Sequence, residues 1–215
     1  MKKYLKIIAI CAISLCCTSG LKAQYLQIAS QLANMMSPAL SGSFSYKGFV
    51  DVSYLQGVGK SKVNFAGVST SQGFKYSSWL YMGAGLGIDV AMAQSDGGYR
   101  WNVPTRKTGI MVPIFTDFRF NVGKATATSF YADIRIGASF LMGDRYLEIG
   151  DNLLTSRNFF YLKPSVGVRI PLSQSGKKAV NVGLAYQLLT SNNWYYSYGG
   201  NPTINSVGAM VSFDW

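Results

Sequence analysis

Thr128–Met142 reads TSFYADIRIGASFLM, and its side chains alternate. Thr128, Phe130, Ala132, Ile134, Ile136, Ala138, Phe140 and Met142 occupy even positions, whereas Ser129, Tyr131, Asp133, Arg135, Gly137, Ser139 and Leu141 occupy odd ones. Successive side chains of a strand point to opposite faces, so a period of two describes a strand with one apolar and one polar face. The same period predicts strands near 44–55, 63–72, 79–92, 108–120, 128–142, 159–172, 179–189 and 204–215. Leaving out the weakly patterned second strand, the apolar rows of the other seven hold 45 positions, of which 40 are apolar and none is charged. The opposite rows carry Lys47, Asp51, Asp89, Asp117, Arg119, Asp133, Arg135, Lys163, Arg169 and Asp214.

An uncharged row fits hydrocarbon, where an Arg or Lys at mid-depth costs about 2–4 kcal/mol. A soluble lipocalin-like ligand-binding barrel is the alternative. It would turn its apolar rows inward and dress its exterior with Lys and Glu, but this chain of 215 residues has one Glu, Glu148. The expected fold is all-β, a closed antiparallel transmembrane barrel of eight strands. An even strand number closes the sheet without an unpaired edge in lipid. The connections agree: Ala93–Lys107, Gly143–Asn158 and Thr190–Thr203 are long, whereas Gly73–Ser78, Asn121–Ala127 and Ser173–Lys178 are short. Long loops outside and short turns inside are the layout of outer-membrane barrels. The short connection Gln56–Lys62 departs from that trend.

Residues 1–23 read as a signal peptide. Lys2, Lys3 and Lys6 precede the apolar run Ile7–Cys17, and small residues lead to a cut after Ala23. Eleven residues reach only about 17 Å as a helix, too short for a retained anchor. Lipid attachment at Cys16 or Cys17 is the alternative, although neither has the small neighbours that such processing favours. Cleavage leaves 192 residues, a net charge of +7, and neither Cys nor His. Disulfides, imidazole catalysis and His-based metal sites are thereby excluded from the mature chain, and no cofactor or metal is expected. Its Lys and Arg are scattered, so nucleic acid is not an expected partner. Residues 24–43 form an N-terminal periplasmic segment. Leu26, Ala29, Leu32, Ala33 and Met36 recur at helical spacing before Pro38, and a short helix and a linker both fit. Residues 44–215 form the barrel domain.

The chain ends Val207-Gly-Ala-Met-Val-Ser-Phe-Asp-Trp215, alternating up to a terminal aromatic. With the leader and with segments such as Lys47-Gly-Phe-Val-Asp51 and Pro113-Ile-Phe-Thr-Asp-Phe-Arg119, the chain resembles the small porin-like outer-membrane β-barrel proteins of Gram-negative bacteria. The resemblance implies integral residence in the outer membrane, contact with its lipid and lipopolysaccharide, and recognition by the barrel assembly machinery through Phe213 and Trp215. It implies no activity, and a ligand or protein partner is not identified.

Eight strands enclose a space that side chains can fill. Charges turned into it are expected to pair, because an isolated buried charge is costly. If the pairing of 108–120 with 128–142 sets Arg119 opposite Asp133, it also sets Asp117 opposite Arg135. Lys47, Asp51, Asp89, Lys163 and Arg169 can extend this interior network into a polar plug; a narrow hydrated end is the other reading. Gly83, Gly85 and Gly87 are read as room for large neighbours, and Pro113 and Pro164 as candidate bulges. Trp79, Tyr81, Phe118, Phe120, Phe130 and Phe213 are assigned to an aromatic belt at the turn end. In the outer loops, Tyr99, Arg100, Trp101, Trp194, Tyr195 and Tyr196 are candidates for glycan or protein contact, or else for the upper belt. The expected role is non-enzymatic, structural or loop-displaying. A narrow porin-like channel is the alternative, and Asp96, Asp144, Glu148 and Asp151 show no acid/base spacing that points to an enzyme.

Overall fold

A computed structural model describes residues 45–59, 62–77, 79–94, 105–149, 152–153, 157–191 and 203–215. The leader and residues 24–43 lie outside the described residues. Eight long strands account for most of the rest: β1 (Ser45–Val58), β2 (Val63–Lys75), β3 (Leu80–Ala93), β5 (Thr108–Val122), β6 (Ser129–Leu141), β9 (Asn158–Pro171), β10 (Ala179–Thr190) and β11 (Thr203–Asp214). Short segments β4 (Thr105–Arg106), β7 (Tyr146–Ile149) and β8 (Asn152–Leu153) lie in the longer loops. The long strands form a closed barrel in the order β1-β11-β10-β9-β6-β5-β3-β2. All neighbours are antiparallel, and β1 pairs with β11 to complete the ring.

The alternation fixes which face looks out. Ile134, Val166 and Leu184 are 39%, 60% and 64% exposed, while Asp133 and Arg135 are 1% and 0% exposed. A soluble binding barrel has the opposite arrangement. Residues Phe130 and Phe140 bound the outward row of β6, ten residues apart. At ~3.4 Å per residue and a usual tilt, that is roughly 26 Å along the axis, the height of an apolar outer-membrane band. Outward polar groups are bonded locally. Thr70 Oγ1 donates to the Phe49 carbonyl (2.9 Å), Gln72 Nε2 to Thr70 Oγ1 (3.0 Å), and Thr116 Oγ1 to the Ile136 carbonyl (3.0 Å). This satisfies the weakly patterned β2, whose outward row contains both Thr70 and Gln72.

At the turn end Trp79 stacks on Phe120 and Phe213 on Trp215, with ring centroids 6.1 and 6.0 Å apart. Tyr81 is not part of this belt. It sits at an inward position, 1% exposed, edge-on to Phe49 at 4.8 Å. The strand glycines make room for such groups. A Cβ on Gly83 would lie 2.2 Å from the Tyr81 hydroxyl, and one on Gly85 would lie 2.5 Å from the Phe115 ring. The prolines do not mark bulges. Leu86↔Ile114 and Asp89↔Met111 keep one register on either side of Pro113, as Ala185↔Ser165 and Leu188↔Leu162 do around Pro164. Each proline lacks an N–H toward one neighbour only, while its other ladder continues through Pro113↔Ser139 and Ile134↔Pro164.

Leu184→Arg, at an outward position paired with Val166, should lower stability in vesicles by about 2–4 kcal/mol. Urea unfolding in bilayers measures this; an unchanged midpoint would mean the outer face meets water.

Candidate functional site: a closed lumen

The inward rows build three levels. At the turn end Asp214, fully buried on β11, accepts from Lys47 Nζ (2.9 Å) and Arg169 Nε (3.0 Å). Arg169 also donates to the carbonyls of Ala125 (2.9 Å) and Gly176 (2.8 Å), and Lys47 to that of Lys177 (3.2 Å). One arginine therefore ties two neighbouring turns together. Gly176 has φ +65, and a Cβ on it would stand 2.4 Å from the Ala125 carbonyl oxygen, so glycine is needed where the turns meet.

The middle level holds the charge network. Arg119 lies opposite Asp133 and Asp117 opposite Arg135 on the β5–β6 ladder. The short contacts run elsewhere. Arg119 Nε donates to Asp117 Oδ2 on its own strand (2.9 Å), and its Nη2 to Asp51 Oδ1 (3.0 Å); Asp133 stands farther away at 3.8 Å. Arg135 Nη2 lies 2.9 Å from Asp51 Oδ1 and 3.3 Å from Asp133 Oδ2. Asp51 thus receives both guanidiniums. In the ring of eight, β6 is the strand opposite β1, so the Asp51–Arg135 ion pair crosses the full diameter. Serines add further bonds: Ser212 and Ser69 accept from Arg119 (3.1 Å) and Arg135 (3.0 Å), and Ser71 donates to Asp117 (2.6 Å), while Asp117 Oδ1, Asp133 Oδ1 and Arg135 Nε keep no hydrogen bond among the described residues. Arg119 also lies 3.7 Å from the centre of the Phe49 ring.

Asp89 and Lys163 face the lumen above this level but form no ion pair there. Lys163 donates to Ser53 (2.8 Å), another contact across the lumen. Asp89 fills the space over Gly67, where a Cβ would lie 1.8 Å from its carboxylate. Its Oδ2 has no protein partner, nor do the side-chain amide atoms of Gln187. The plug expected from sequence is therefore polar only in part.

The loop end is closed by an apolar cork. Leu55, Phe65, Met111, Leu141, Phe159, Leu189 and Ile204 form one buried cluster, joined by Leu147 from β7. The signal was readable in the inward rows, whose positions nearest the loops are apolar; Leu147 was not, since no strand period reaches it. The candidate loop residues Tyr99, Arg100, Trp101, Trp194, Tyr195 and Tyr196 lie outside the described residues. Among the described residues no group of three His, Cys, Asp or Glu is placed to hold a metal ion.

No protein-family model and no curated protein sequence matches the chain. Among solved structures it is similar to neisserial surface protein A, with TM-score 0.53 and 10% identity over 80% of this chain and 98% of that one. It is also similar to the outer membrane enzyme PagL, with TM-score 0.50 and 14% identity over 76% of this chain and 97% of that one. The N-terminal β-barrel domain of Pseudomonas aeruginosa OprF gives TM-score 0.43 at 10% identity, over 80% of this chain and all of that one. At these identities the likeness is one of fold.

Asp51→Leu breaks two buried ion pairs at once, leaving Arg119 only Asp117 and Arg135 only Asp133 as close partners, and should cost about 3–5 kcal/mol. Urea titration of the vesicle-inserted protein reads the loss. A cost under about 1 kcal/mol would mean that water already solvates the two arginines.

Proposed function

We propose that this chain is an integral outer-membrane protein with a sealed, non-enzymatic barrel that anchors and displays its loops at the cell surface. The observation that carries this reading is the Asp51–Arg135 contact across the full diameter, closed above by the cork and below by the tied turns. A barrel filled from wall to wall is a rigid mount, not a conduit. The uncharged outer face and the aromatic belt support residence in lipid, and the long connections support an outward-facing loop end. Export through the leader, recognition of Phe213 and Trp215 by the assembly machinery, and contact with lipopolysaccharide belong to the same reading.

One of the similar folds is an enzyme and another a surface protein, and a shared fold does not transfer chemistry. The non-enzymatic reading rests on this chain's own residues. It has no His anywhere; the lumen carboxylates Asp51, Asp117, Asp133 and Asp214 are engaged by arginine, lysine or serine, and the fifth, Asp89, is buried. The loop aromatics Tyr99, Trp101, Trp194, Tyr195 and Tyr196, with Arg100, supply the side chains for a surface contact.

The mature chain refolded from denaturant should migrate faster on unheated gels than on heated ones, the mark of an intact barrel. In planar bilayers that folded form should give no steady conductance. Large, long-lived current steps would reject the sealed lumen and favour the narrow channel.

A further inference from the structure

The turns at one end of the barrel carry lysines and, in their own sequences, no acid. The turn sequences Gly73–Ser78, Asn121–Ala127 and Ser173–Lys178 contain Lys75, Lys124, Lys177 and Lys178 but no Asp or Glu. The carboxylate of that level, Asp214, is buried and already held by Lys47 and Arg169. Among the described residues, Asp51, Asp89, Asp117 and Asp133 lie in the lumen.

Lys124, Lys177 and Lys178 are exposed and belong to two turns brought together by the Gly176–Ala125 contact and by Arg169. They therefore form one patch. Directly above it stands an apolar wall on the outer face. Val122 and Phe130 are paired across β5 and β6, and each is 70% exposed; on β9, where Val168 pairs with Phe130, Leu172 lies four residues nearer the turn, exposed and bonded through its N–H to the Lys178 carbonyl. Cations placed beneath an exposed apolar wall match a molecule with an anionic head and a hydrocarbon tail. A polysaccharide would use the lysines and leave the wall unmatched.

We infer that Lys124, Lys177 and Lys178 bind the headgroup phosphates of anionic glycerophospholipids, whose acyl chains lie along Val122, Phe130 and Leu172. The site rests on the membrane reading proposed above and adds a lipid preference to it. The lysines contribute by charge, so arginine can replace them, and salt weakens the contact because the patch is exposed.

The mature chain is refolded into phosphatidylcholine vesicles carrying a trace of either spin-labelled phosphatidylglycerol or spin-labelled phosphatidylcholine. The motionally restricted fraction of each label is then compared. Phosphatidylglycerol should be enriched at the protein roughly twofold or more, since each lysine near an anionic headgroup favours it. The combined Lys124→Ser, Lys177→Ser and Lys178→Ser variant, or high salt, should bring the ratio close to one. The corresponding arginine variant should keep the preference. Equal restriction of the two labels by the native chain, or a preference that survives the serine variant, overturns the site. So does lysine-dependent sedimentation with peptidoglycan sacculi in the absence of a lipid preference. Insertion is read separately by gel mobility: failure to insert in any vesicle counts against the membrane reading, whereas insertion without preference counts against this site alone.

Discussion

A closed ring with an uncharged outer face has only its lumen in which to put the charges of its strands. Eight strands leave that lumen too narrow for a solvating column of water. The inward charges must therefore answer one another, and Asp51 is where they do. It is set among the serines of β2 and β11 and meets Arg119 and Arg135 from the far wall. Asp117 and Asp133 share the same two arginines, and Ser69, Ser71 and Ser212 add further bonds. Each guanidinium offers donors in several directions, which lets a single side chain bridge three strands.

The two ends solve different problems. At the loop end, strand residues that need not carry charge become apolar, and Leu147 enters from a loop to complete the cork. At the turn end the chain is short, so closure comes from Arg169 and Lys47 reaching down to turn carbonyls. The result is a barrel whose interior is committed to holding its own shape. Such rigidity suits the loop-displaying role proposed above, since loops can vary while the strands remain unchanged.

The strands and their faces were legible in the sequence because a period of two is a direct consequence of strand geometry. The expected 63–72 and 128–142 became Val63–Lys75 and Ser129–Leu141, differences confined to element ends. The register of β5 with β6 was legible too, because a short turn leaves few ways to align Asp117 and Arg119 with Arg135 and Asp133. The role of Asp51 was not. Periodicity says which wall a side chain leaves, but not how far across a lumen it reaches, and an arginine is long enough to pass its ladder partner for a better one. Tyr81 misled for a related reason: it shares its parity with Trp79, but Trp79 precedes β3 and is exposed, whereas Tyr81 lies within the strand and turns inward, where Gly83 gives it room. Pro113 and Pro164 look like interruptions in the sequence, although each removes a hydrogen bond on one side only.

The most direct test is accessibility along β6, using single cysteines introduced from position 130 to position 140 in the mature chain and labelled with a fluorophore in the unfolded state before refolding into vesicles. Labels at 130, 132, 134, 136, 138 and 140 should be quenched by brominated acyl chains, and labels at 133 and 135 by neither brominated lipid nor aqueous iodide. Iodide quenching at 133 and 135 would reveal a water-filled lumen and contradict the mutual neutralisation of its charges.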